Sequence, residues 1–456
     1  MRNAAAALAL FTALPLFATD ITKSIADAVE KSGIPGAAVV AVDRDHVVYA
    51  ANFGYRDVDA KLPVTGNTRF YIASSTKPFT ALTAMLLANE GKLDIDAPVE
   101  KDLPDLHLPH ALTFRDLMTH RLGFENDAAG FRTAYSGEFD TPTLFSLVAN
   151  KSKITPRVFS YDNLGYVLTA YAIEKATGES WKDAVVKRVL APLAMTTATT
   201  HVPGAGVEVA LPYVFDGAWR RVDAKSESTM HPAGGMYSTA ADLARFVRVE
   251  MNHGGGVFPR RVIDETQSPQ IHLQRRFSRY DRFAYGLGWY LADYDGDLLV
   301  HHFGGFRGAQ AHMSYMPDHN LGVVVLTNTD APLAHSFASF VYDSLLNKPD
   351  AQKRLDEDVQ RFNDAKAKRP ASLKARLEKL LAAAPAGGLD HPVDGSYVGD
   401  YGTIVVKGDT ITLGVMSSKL EPQGRVFVVH FAPDEPTVAV FRENKIVWDG
   451  QEFVKP

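Results

Sequence analysis

The chain has 456 residues, 46% hydrophobic and 22% charged, an ordinary globular composition with room for one large domain and a smaller one. Its formal charge of -5 combines both signs, and no dense Lys/Arg run appears, which argues against a nucleic-acid partner. Cysteine is absent, so disulfides, thiolate zinc sites and a cysteine nucleophile are excluded.

The N-terminal stretch MRNAAAALALFTALPLFATD carries one cation, Arg2, followed by an uncharged apolar run to Ala18. That is the shape of a secretory signal peptide and is short for a membrane span. The expectation is a signal peptide over residues 1–18, a periplasmic or secreted protein, and no stable membrane anchor. An uncleaved anchor or a disordered start is the competing reading.

GAAVVAVD and HVVYAANFG then read as two strands of a hairpin split at Arg44-Asp45. From about Ser74 to Val249 the signals are mostly helical, and strand character returns in DLLVHHFGG, AQAHMSYMP and LGVVVLTN. Strands early and late with helices between them predict an α/β (α+β) fold. Its mainly antiparallel sheet brings the two chain ends together and is flanked by helices. FASFVYDSLLN is expected to be a last helix on that sheet. Composition changes near Lys348, where a charged, helix-favouring stretch reads as a solvated spacer broken at Pro370, followed by the linker AAAPAGG. Short alternating runs beyond Asp394 (DYGTIVV, TITLGV, RVFVVHF, TVAVF, KIVW) predict a small C-terminal β-barrel or sandwich. The expected divisions are a main domain at 20–347, a helical linker at 348–389 and a β-domain at 390–456.

Three pieces carry chemistry. In YIASSTKPFTALTAMLLANEGKLD, only Thr80 and Thr83 are polar between Phe79 and Ala88, so that helix is expected to be buried. Pro78 is tolerated only in a first turn, which puts Ser74 or Ser75 at or beside the cap and Lys77 within that turn. Residues three apart on a helix are neighbours, so the Ser74 hydroxyl and the Lys77 amine can meet. A desolvated, neutral lysine can then take the serine's proton. The bland alternative is a serine cap followed by a surface lysine.

VFSYDNLGYVLTAYAIEKATG places Tyr161, Asp162 and Asn163 before an apolar helix, with Asn163 or Asp162 as its cap. Tyr161 adds a phenol and Asn163 an amide able to hold a substrate carbonyl. In VHHFGGFRG, alternation along a strand sends His301 and His302 to opposite faces, so the two cannot share a metal. Gly304 and Gly305 allow a close backbone approach. His107, His110 and His120 lie in a Pro- and Leu-rich stretch that gives no metal pattern.

The order Ser-x-x-Lys, Tyr-x-Asn, His-x-Gly resembles the serine β-lactamase and penicillin-binding protein superfamily. It is most similar to the branch of class C β-lactamases, family VIII carboxylesterases and D-aminopeptidases. LTFRDLMTHRLGF, PAGGMYSTAADLARFV and YGLGW are similar to that branch's wording, and the resemblance covers about residues 22 to 345. It implies a DD-peptidase/β-lactamase-like domain with an inserted all-helical subdomain and an acyl-enzyme on Ser74. Lys77 and Tyr161 would serve as general base and acid, either one being the base. Asn163, His302, Gly304 and Gly305 would bind substrate, with the backbone N–H groups of Ser74 and Gly305 as the oxyanion hole.

One departure matters. β-Lactamases and penicillin-binding proteins commonly carry Lys-Thr-Gly where this chain has His302-Phe303-Gly304. This replaces a cation that helps bind a substrate carboxylate by a residue mostly neutral near pH 7. The expectation is therefore an exported serine hydrolase acting on D-amino-acid peptides or amides, or on short-chain esters. A class C-like β-lactamase or DD-carboxypeptidase is the alternative, as is a penicillin-binding-type sensor that does not turn over. The implied partner is a small-molecule or short-peptide substrate, with no metal or organic cofactor.

Overall fold

The computed structural model describes residues 14–432 and 435–456. Of the expected signal peptide, residues 1–13 lie outside the described residues, and 14–18 open the first helix, α1 (Leu14–Ser32). The frame is a nine-stranded sheet of β1 (Gly36–Val42), β2 (Val47–Asp57), β3 (Leu62–Pro63), β4 (Ile271–Phe277), β5 (Tyr280–Tyr285), β6 (Tyr290–Tyr294), β7 (Asp297–Phe306), β8 (Ala309–Met316) and β9 (Leu321–Thr327). In space the order is β4-β5-β6-β7-β8-β9-β1-β2-β3, with antiparallel neighbours throughout. The chain ends meet where β1 pairs with β9, Val39 opposite Val325.

β1 explains why the sheet is covered on both faces. All its residues are buried, and alternation divides them between two cores. Val39 packs with Ile21 and Ile25 of α1 and with Phe337 of a helix, Leu333–Leu345. Val40 packs on the other side with Phe79 of α2 (Lys77–Asn89) and Phe246 of a helix, Ala240–Met251. Phe79 and Phe246 stack at 4.0 Å, and each such buried ring contributes about 1.5–3 kcal/mol. Four of the helices that follow α2 are labelled, in chain order, α3 (Leu164–Thr177), α4 (Ala240–Met251), α5 (Leu333–Leu345) and α6 (Ala351–Ala383).

α6 corrects one expectation, because it runs unbroken across Pro370. Leu355 and Val359, both buried, pin its first half to the core under α1 and α5, and tertiary packing outweighs the local penalty of the proline. Beyond it, eight strands from Gly395–Gly399 to Gln451–Val454 form a closed barrel, shut by Val398 opposite Val454. The alternating runs mark most of these strands. Met416–Gln423 escapes them because only Leu420 of its residues is buried.

The barrel docks on the helical subdomain through particular groups. Arg132 donates to the Asp400 and Gly399 carbonyls at 2.6 and 2.9 Å. The Glu138 carboxylate accepts from the Thr403 and Gly414 amides at 2.7 and 2.9 Å. Phe131 packs on Tyr401 and Trp448. A further tie, the ion pair between Arg307 and Glu435 at 2.6 Å, reaches the end of β7.

Candidate active site

The entrance to α2 is tighter than the sequence suggests. Ala73–Thr76 form a 3-10 turn, Thr76 takes the cap position without a side-chain cap bond, and Lys77 is the first α-helical residue. Pro78 falls inside that first turn, as its missing N–H requires. Ala73 has φ 45°, a left-handed conformation costly for a residue with a Cβ, directly before Ser74. Gly288, of the YGLGW stretch, has φ +88°, and a Cβ there would sit 2.8 Å from the Pro78 Cα.

The turn delivers Ser74 to Lys77. The amine is 3.1 Å from the Ser74 Oγ, 2.7 Å from the Asn163 Oδ1 and 3.0 Å from the Ala233 carbonyl. The lysine is buried, and desolvation pulls its pKa down to about 7 against the opposing field of Asp162. Two of its three neighbours can only accept a hydrogen bond. When neutral, the amine therefore gives its two protons to the Asn163 and Ala233 oxygens and turns its lone pair toward the Ser74 hydroxyl. Ser75 is buried, and its Oγ has no hydrogen-bond partner among the described residues.

Asn163 holds the cap position of α3, but its side chain makes no cap bond. Asp162 takes that role through the Leu164 amide, freeing the Asn163 amide for Lys77. Tyr161 lies under the amine, 4.6 Å from its ring centroid. Its hydroxyl is buried and has no hydrogen-bond partner of good geometry. Burial and neighbouring phenols raise its pKa well above the usual tyrosine value, and the Ser74 side chain pulls the other way.

β7 supplies the remaining groups. A Cβ on Gly304 would lie 1.8 Å from the Ile72 carbonyl and 3.0 Å from the Ser75 amide, so only glycine lets this strand lie against the nucleophile turn. Gly305 is exposed, with open space where a Cβ would stand. His302 is buried, its Nδ1–H donates to the Phe303 carbonyl at 2.8 Å and its Nε2 faces the Tyr285 hydroxyl at 3.3 Å. Burial and the nearby Lys77 charge hold its pKa well below the usual histidine value, so it presents no cation. His301 points away, as alternation requires, and accepts from Arg282 Nε at 3.2 Å.

Sequence reasoning missed His120 and Ala233. His120, left-handed at φ 59° and buried, accepts the Asp162 amide on Nδ1 at 3.1 Å and packs its ring 4.4 Å from that of Tyr161. Both residues lie in family-like stretches, LTFRDLMTHRLGF and PAGGMYSTAADLARFV, but neither motif says that the second gives a carbonyl rather than a side chain. Among the described residues, Asp43, Asp45 and His46 bring ligand atoms within 4.8 Å of one another. They lie outside this site, in the turn between β1 and β2, where Asp43 already accepts the Asp45 and His46 amides.

A family model described as Beta-lactamase matches residues 21–346. The chain belongs to the beta-lactamase family. Among curated relatives it is 25% identical over 337 residues to Protein flp of Staphylococcus aureus (strain N315). The match takes in 72% of this chain and 66% of that protein, so the chain spans about two thirds of that relative's length. Solved structures share the fold. One is the octameric penicillin-binding protein homologue from Pyrococcus abyssi, with a TM-score of 0.65 and 24% identity over 96% of this chain and 99% of that one. Another is the D-amino acid amidase from Ochrobactrum anthropi SV3, with a TM-score of 0.59 and 24% identity over 75% and 99%. The family match stops before α6 and the barrel, whereas the Pyrococcus overlap takes in almost the whole chain.

Proposed function

We propose that this beta-lactamase family member is an exported serine hydrolase that cleaves an ester or amide through an acyl-enzyme on Ser74. The observation that carries the reading is the 3.1 Å approach of the Lys77 amine to the Ser74 hydroxyl, with the amine's other neighbours both acceptors. Lys77 takes the serine proton as the oxygen attacks the carbonyl carbon. Its pKa of about 7 leaves a large neutral fraction at physiological pH, while the phenol of Tyr161 stays protonated. Lys77 is therefore the base of acylation and Tyr161 the acid that hands a proton to the leaving group. The N–H groups of Ser74 and Gly305 receive the oxyanion, each such donor being worth about 2.7–4 kcal/mol in a serine protease. Asn163 both holds the lysine and faces the substrate.

The neutral His302 supports substrates other than carboxylate-bearing β-lactams. The Arg307–Glu435 pair, tying the barrel two residues beyond Gly305, supports small ones. Amides of D-amino acids are favoured by the amidase named among the structural neighbours, and short-chain esters by the absence of a cation at His302. The N-terminal apolar run supports export to the periplasm or beyond.

The test is a fluorophosphonate probe followed by peptide mass spectrometry, with a panel of p-nitrophenyl esters, D- and L-amino-acid anilides and nitrocefin. Labelling at Ser74, with ester or anilide turnover far exceeding nitrocefin turnover, is the expected result. Labelling elsewhere, or a Ser74 acyl adduct from the ester or anilide that is never hydrolysed, overturns it.

A further inference from the structure

A cavity of about 830 Å³ lies outside the set of residues around Ser74. It opens beyond Phe303, between the β4–β5 hairpin, the start of α5 and the flank of α6, and its size is that of a small-molecule site. Phe303 belongs to both places. Its ring lines the cavity and faces that of Tyr161 at 6.5 Å and 25°. Gln310, opposite Gly305 in the β7–β8 ladder, also lines it. This residue is 9% exposed, and its Oε1 meets no donor among the described residues, a costly arrangement unless something fills the space beside it.

The walls have two characters. Phe215, Trp219, Phe277 and Phe362 give aromatic surface. Arg276, Arg279, Arg361, Lys366 and Arg369 give positive charge, against the carboxylates of Asp330 and Asp358. Asp358 is shared between Arg279 and Arg361, Arg276 pairs with Asp281 at 2.6 Å, and Lys366 donates to the Ser32 carbonyl rather than to a carboxylate. Local charge is therefore positive, with three of the five cations supplied by α6.

We infer that this cavity is the leaving-group subsite of the Ser74 reaction and takes an amphipathic anion, an aromatic or long apolar group ending in a carboxylate. The inference rests on the acyl-enzyme reading above. In that reading Tyr161 protonates the departing atom, and Phe303, which stands between its ring and the cavity space, is the wall the two places share. Aromatic walls bury the apolar body and the guanidinium groups hold its charged end. The cation that the motif loses at His302 is replaced in function by arginines from the β4–β5 hairpin and α6, further from the serine, which lengthens the acceptable leaving group.

The test compares two acetate esters with the same phenol leaving atom, one of 3-(4-hydroxyphenyl)propanoic acid and one of its neutral carboxamide. The acid ester is expected to have at least about tenfold higher kcat/KM. The double variant Arg276→Met/Arg361→Met should bring that ratio close to one. Both side chains are largely exposed, at 61% and 70%, so the fold should tolerate their loss. Turnover of both esters on Ser74 at equal kcat/KM, or a ratio unmoved in the double variant, overturns this inference and leaves the hydrolase reading intact. If neither ester reacts and Ser74 takes no probe, the hydrolase reading itself fails. Calorimetric binding of free 3-(4-hydroxyphenyl)propanoate then decides the cavity alone: uptake by wild type and loss in the double variant support it, and no uptake ends it.

Discussion

Lys77 and Lys225 are two buried amines in one domain, and burial pulls both down to about 7. Their surroundings differ completely. Lys77 faces a hydroxyl, an amide oxygen and a carbonyl. Lys225 donates to the Ala134 carbonyl and otherwise lies on aromatic faces, 3.8 Å from the Phe306 ring and 5.6 Å from that of Tyr135, with Arg307 adding to its depression. Desolvation is the main cause of both shifts, but a base also needs a proton donor within reach. Only Lys77 has one, so the shift alone does not mark function.

The comparison breaks hardest at Lys77. Lys77→Met removes the base while filling the space, and kcat/KM for a p-nitrophenyl ester should fall by roughly 10³–10⁴. Retention of a tenth of the wild-type rate, in protein with a native circular dichroism spectrum, would dismiss the assignment. Tyr161→Phe should cost about 10²–10³ for an anilide and distinctly less for a p-nitrophenyl ester, whose leaving phenolate departs without a proton. Equal losses on the two substrates would mean that Tyr161 is not the acid.

A pH profile sharpens the same contrast with a smaller effect. The reactive form is the neutral amine, so kcat/KM should climb through a pKa of about 7 and level off above it. Below that point it should drop about tenfold per pH unit. A profile flat from pH 5 to 8 would assign the base elsewhere.

Much of this was legible in the chain. The valine-rich run of β1 and the strand-like late runs pointed to the sheet, and Pro78 limited where α2 could start. Ser74, Lys77, Tyr161, Asn163, His302, Gly304 and Gly305 were all singled out by ordered motifs, and the structure brings their segments to one place. The backbone carbonyl of Ala233 was invisible because any residue can supply one. His120 was hidden because its work is to accept an amide and support a ring, for which its sequence neighbourhood gives no cue. α6 misled for a different reason: its charges read as solvation, yet Arg361, Lys366 and Arg369 turn toward a cavity that only the folded arrangement of α5, α6 and the β4–β5 hairpin creates.

The smallest effect on rate, and the cleanest separation of the two lysines, is expected from Lys225→Met. Turnover should change by less than about tenfold, under 1.4 kcal/mol, because no atom of Lys225 bonds to the Ser74–Lys77–Asn163 group. Stability should change in a pH-dependent way. The substitution gives up one hydrogen bond to Ala134, worth about 1 kcal/mol, and relieves the desolvation of an amine with no carboxylate beside it. In the folded protein the amine titrates at about 7 and in the unfolded chain near the ordinary lysine value of 10.5, so between those values the unfolded state binds more protons and the wild type gains stability as pH rises. The thermal midpoint of Lys225→Met should therefore exceed that of wild type most at pH 6, and the difference should shrink steadily from pH 7 to 10. Parallel midpoints across that range would mean that Lys225 is hydrated in solution, and its likeness to Lys77 would then lapse.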